Sequence, residues 1–146
     1  MNHQPSIAAL YVAMAGAAGP AFGETDPWAL LSAVEIEEIV TETRYEVRKS
    51  FPEQLEQGIS DFRISGYAMP MEAGASVRQV MLVSDMGSCP FCGQADHGIT
   101  LMVELDEPIS TFDEGTRLSL VGDLEAVTDP DTWQSAVMRH ARVVAN

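Results

Sequence analysis

The chain has 146 residues, enough for one domain with a real core and too few for two of ordinary size. Apolar residues make up 46% of it, which excludes wholesale disorder. Eight Lys and Arg face 22 Asp and Glu, a formal net charge of -14 that repels phosphate backbones and anionic lipid surfaces, so neither nucleic acid nor polybasic membrane docking is expected.

Residues 7–19 carry no charge and are mostly small or aliphatic. The run is short of the roughly 20 apolar residues that a membrane span needs and suits the hydrophobic region of a signal peptide. Ala21 and Gly23 place small residues where a signal peptidase reads, so residues 1–23 are expected to be removed and Glu24 to begin the mature chain. The stretch before the run has His3 and no Lys or Arg, and a buried N-terminal helix is the competing reading. No Cys follows the run, which excludes a lipid anchor there. Export implies an oxidising compartment such as a periplasm, with no membrane insertion once the signal is gone.

Asp26 and Pro27 open a short helix as N-cap and first helical residue, followed by Trp28, Leu30 and Leu31. Residues 35–50 read two ways: Ile36, Ile39 and Val40 fit a helix, while Thr41, Thr43, Tyr45 and Val47 alternate as in a strand. The expectation is a helix that gives way to a strand near Thr41. Pro52 to Gly58 forms a single helical turn closed by glycine. Period-two alternation follows around Phe62–Met69, in the apolar run 79–83, along Ile99–Leu105 and at Leu118–Gly122. Gly74, Gly87, Gly98 and Gly115 fall between these runs, whereas Gly66 and Gly122 fall inside them, where a strand bends or bulges. Several strongly curved strands in this length predict a mainly β domain over residues 24–146, a small OB-like Greek-key barrel with a short N-terminal helix. A β-sandwich is the alternative. Asp129, Pro130 and Asp131 read as a helix start, with a helical turn at residues 132–136 before a closing strand.

Both cysteines lie in Cys89-Pro90-Phe91-Cys92-Gly93. Proline fixes φ, glycine permits a positive-φ turn, and two thiolates at this spacing converge as in half of a zinc ribbon. Cys89, Cys92 and His97 make a three-point site, with Asp96, Met86 or water for a fourth position. The cation would be zinc, or copper(I) if thioethers join it; Met69, Met71, Met81 and Met102 lie in the same region, where packing is the usual duty of methionine. The Cys-x-x-Cys spacing also fits a dithiol redox or thiol-switch pair, although the flanking glycines leave no room for an activating helix. The third reading is a structural cysteine loop in an interaction module of an exported, transporter-associated complex. His140 reads as a packing residue on an apolar face. No nucleophile elbow, phosphate-binding glycine loop or paired catalytic carboxylates stand out, which points away from an enzyme.

Three segments carry a family resemblance: Trp28 to Leu31, the run Gly66-Tyr67-Ala68-Met69-Pro70-Met71-Glu72, and Val80-Met81-Leu82-Val83 leading to Cys89. In these the chain resembles small exported bacterial proteins of unknown function with a Cys-containing loop. The resemblance implies an OB-like fold and an accessory role beside an ABC-type export system linked with metal handling. Many of those proteins have a Cys-x-His loop before a proline-rich stretch. Only Cys89 carries over from them, and Cys92 and His97 stand on their own chemistry.

Overall fold

The computed structural model describes residues 26–85 and 99–145. Helix α1 (Pro27–Ser32) begins as its sequence dictates, the Asp26 carboxylate accepting from the Trp28 N–H at 3.1 Å. The next two elements are strands, β1 (Glu35–Val40) and β2 (Tyr45–Ser50), paired antiparallel from Glu35–Ser50 to Val40–Tyr45. This overturns the helix expected before Thr41. The Thr41 N–H and hydroxyl both donate to the Arg44 carbonyl, closing a tight turn, and the β-branched residues Ile36, Ile39 and Val40 fit the resulting ribbon.

Helix α2 (Glu53–Glu56) is the expected single turn, with Gly58 at φ +74° just beyond it. Its Leu55 is fully buried as part of the barrel core. Five longer strands follow: β3 (Ile59–Pro70), β4 (Ser76–Val83), β5 (Thr100–Ser110), β6 (Thr116–Ala126) and β7 (Ala136–Val143). They close into a barrel in the order β3-β4-β5-β7-β6, with β6 returning to β3. Every pairing is antiparallel except β5 with β7. The inward residues include Ile64, Ala68, Val80, Leu82, Leu101, Val103, and on the far side Leu120, Leu124 and Met138, all essentially inaccessible to water. Each fully buried aliphatic side chain contributes about 1.5–3 kcal/mol relative to exposure.

The two in-strand glycines mark close approaches. A Cβ on Gly66 would lie 2.6 Å from the Val83 carbonyl oxygen and 2.8 Å from the Trp28 ring, so the missing side chain lets α1 seat its indole against the barrel. The Trp28 Nε1 donates to the Ser65 carbonyl at 2.8 Å and fixes the seat. Gly122 faces an irregularity in β7, where its Cβ would meet the Arg139 carbonyl at 2.7 Å. His140 sits in that irregularity at φ +50°, exposed, with Nδ1 3.0 Å from Asp106 Oδ1, so the packing role expected of it is not what it has.

The helical turn expected at residues 132–136 is also absent, and β7 starts directly at Ala136. Asp129 instead spends its carboxylate on the Asp131 N–H at 2.9 Å, a local turn that competes with helix. The surrounding carbonyls are claimed from outside by β2: Lys49 Nζ donates to Val127, Asp129 and Gln134 at 2.9, 2.8 and 2.7 Å. The Val47 N–H adds a bond to the Pro130 carbonyl at 2.8 Å. The β1–β2 hairpin is thus fastened to the β6–β7 connection. Among the described residues no helix is long and apolar enough to cross a membrane.

Candidate functional site

The cysteine segment is the connection between β4 and β5, and these strands pair down to Val83 opposite Thr100. Its proposed ligands Met86, Cys89, Cys92, Asp96 and His97 lie outside the described residues, as does the expected signal segment 1–23. What the structure defines is the platform beneath them. Val83 pairs on its other side with Tyr67, whose ring carries the Arg117 guanidinium 5.8 Å from its centroid. Trp28 packs at Gly66, next to the same Val83 carbonyl. The residues that flank the segment, Val83 and Thr100, thus stand opposite each other on neighbouring strands.

Two positions below the Val83–Thr100 pair, Met81 stands opposite Met102, and Met69 stands opposite Met81 on the other side. These three methionines form a row on the outer, half-buried face of the barrel rather than in its core. Directly opposite residues on one face have Cβ atoms about 4.5–5.5 Å apart. Among the described residues no group of three or more His, Cys, Asp or Glu side chains is arranged to hold a metal ion.

Met81 and Met102 also floor a groove of about 650 Å³ that starts at the root of the cysteine segment. Ile99 and Thr100 form its end at that root, and Leu31 and Val34 one wall. Ile36 of β1 and Trp133 of the β6–β7 connection form the outer rim. Trp133 is held by its Nε1, which donates to the Tyr45 hydroxyl at 2.6 Å. The sequence gives no sign of this groove beyond a tryptophan in a Pro- and Asp-rich stretch, and the helical turn expected at residues 132–136 would have included Trp133.

A second cluster lies further along β4, β5 and β7. Arg139 is shared between Glu104 at 2.5 Å and Glu125 at 3.1 Å, and these carboxylates raise its pKa above the ordinary arginine value. The His140 pKa is likewise raised, first by its hydrogen bond to Asp106 and then by that residue's charge. Arg78 donates to the Asp106 carbonyl at 2.8 Å. The cations of this face are thus spent on the protein's own acceptors. Glu72, in the connection from β3 to β4, receives the N–H groups of Arg78 and Gln79, the residues at the register shift of β4 against β5, and these bonds lower its pKa.

Strand order, closure and the one parallel pair make this an OB-like barrel protein, extended at its N-terminal side by a helix and a docked hairpin. Comparison with models of protein families, with characterised proteins and with solved structures gave no match.

Proposed function

We propose that the protein is an exported, non-enzymatic metal-binding or metal-delivery protein, with Cys89, Cys92 and His97 as ligands and Asp96 or Met86 completing the site. The supporting observation is that both cysteines and the histidine fall within one β4–β5 connection, whose ends are pinned at the Val83–Thr100 pair. Two thiolates and an imidazole suit zinc, and a thioether from Met86 would shift the preference to copper(I). A net charge of -14 concentrates cations near the surface, in keeping with cation capture. Delivery would be to a component of an ABC-type export system, the partner implied by the family resemblance.

The test is purification without chelator of the form starting at Glu24 from a periplasm, with bound metal and free thiols measured together. About one equivalent of zinc or copper per chain is expected, lost in Cys89→Ser. Metal retained at full occupancy in Cys89→Ser would overturn the reading. Absence of both metal and free thiols would replace it with a Cys89–Cys92 disulfide, and the reduction potential would then be the property to measure.

A further inference from the structure

Four of the six exposed large hydrophobic residues in the described structure gather at one place: Ile36 (38% exposed), Val40 (68%), Tyr45 (44%) and Trp133 (51%). Ile36, Glu38 and Val40 alternate onto one face of β1, and Tyr45, Val47 and Lys49 stand opposite them on β2. That face carries the outer rim of the methionine-floored groove. Beside it, the free edge of β1 has no strand partner among the described residues, so its outward N–H and C=O groups are open to pairing.

The charge around this patch is one-sided. Glu35, Glu37 and Glu38 lie on β1 itself. The hairpin's cations are committed: Arg44 to Glu46 at 2.6 Å, Arg48 to Glu37 at 3.2 Å, and Lys49 to its three carbonyls. Glu38 stands between Ile36 and Val40 with no ion-pair partner among the described residues. An acidic edge disfavours pairing with a second copy of itself. It favours an incoming strand that carries Lys or Arg.

We infer that β1 and the adjoining groove form a docking site for an extended, cationic segment of a partner protein. The segment adds as a third strand to the β1–β2 sheet and places an apolar side chain in the groove between Ile36 and Trp133. Main-chain pairing supplies affinity in this mode, and the alternate side-chain pockets supply selection. The groove volume of about 650 Å³ accommodates one or two large side chains, and flexible Met81 and Met102 adapt to their shape. A two-stranded ribbon gains further stability from a third strand. The site is independent of whether the cysteine segment holds a metal.

The probe is a blocked heptapeptide, Val-Lys-Val-Phe-Val-Lys-Val, whose lysines share the phenylalanine's face and so meet Glu38, titrated into isotope-labelled protein at low salt. Binding is expected to shift and protect the β1 amides, and to weaken roughly tenfold in Glu38→Lys and in Trp133→Ala, given the worth of a cross-strand charge pair and an aromatic anchor. The glutamate counterpart of the peptide, tested on the unaltered protein, is expected not to bind, which keeps the charge requirement testable if Glu38→Lys fails to fold. Equal binding of the two peptides, or β1 amides left unprotected, overturns the proposal. So does a concentration-dependent dimer in sedimentation that Trp133→Ala abolishes, because a second copy would then be the occupant.

Discussion

The Lys49 ammonium has three N–H donors and three carbonyl acceptors around it, from Val127, Asp129 and Gln134. Burial lowers its pKa below the usual lysine value, and the nearby Asp129 charge works in the opposite direction. Hydrogen bonds to a charged donor are worth about 1.5–3 kcal/mol each when a partner is removed, less where water can replace it. Lys49→Met should therefore destabilise the protein by about 2–3 kcal/mol in denaturant unfolding, since part of the site is wet. It should also raise amide exchange across residues 127–135. Lys49→Arg should restore little of this, because a planar fork cannot aim three donors at a tripod of carbonyls. Full rescue by arginine would show that charge alone fastens the hairpin. A lysine in an alternating stretch gives no hint of this role in the sequence, because its acceptors come from a segment some 80 residues away.

At the scale of elements, what was legible followed from spacing and glycine. The barrel strands announce themselves by alternation, and Gly66 and Gly122 fall where neighbouring backbone comes closest. Gly66→Ala puts a methyl 2.6 Å from the Val83 carbonyl, beside α1 and the root of the cysteine segment. Overpacking of this kind costs about 1–3 kcal/mol, and the Trp28 emission should shift as its ring is pushed out. Adding Trp28→Ala should not recover the loss, because the tighter clash is with backbone; recovery would show that the ring was the sole obstacle. Of the β1–β2 hairpin, the alternation of Tyr45 and Val47 showed β2, but β1 was not legible, since Ile36, Ile39 and Val40 fit a helical stripe as well as a ribbon and Thr41–Arg44 lacks a glycine turn. The stretch before β7 misled for a related reason: Asp129 and Pro130 signal a helix start, but the carbonyls there serve Lys49 and Val47. For the candidate site, the Cys-Pro-x-Cys-Gly motif is visible in the sequence alone. The groove beside it is not, because Leu31, Ile36, Met102 and Trp133 meet only after the barrel closes.

For the molecule as a whole, the deciding quantity is the excess of 22 acidic over eight basic side chains. The ion pairs that offset it, such as Arg48–Glu37 and Arg142–Asp61, are largely exposed, and pairs of that kind are worth about 0–1 kcal/mol. Repulsion among the remaining carboxylates is longer in range and acts over the whole compact surface, more strongly than in the expanded unfolded chain. Raising NaCl from about 0.01 M to about 0.15 M shortens the screening length from roughly 30 Å to 8 Å, which removes most of that repulsion while weakening the few attractive pairs. Repulsion should win, and Tm should rise by about 3–5 °C, the shift that corresponds to roughly 1 kcal/mol in a domain of this size. Choline chloride should act as well as NaCl if the effect is screening. A larger rise with a divalent cation at matched ionic strength would instead report binding to the folded state, because a ligand that binds only that state stabilises it by mass action. A fall in Tm with NaCl would mean that the attractive network around Arg139, Glu104 and Glu125 outweighs the net charge.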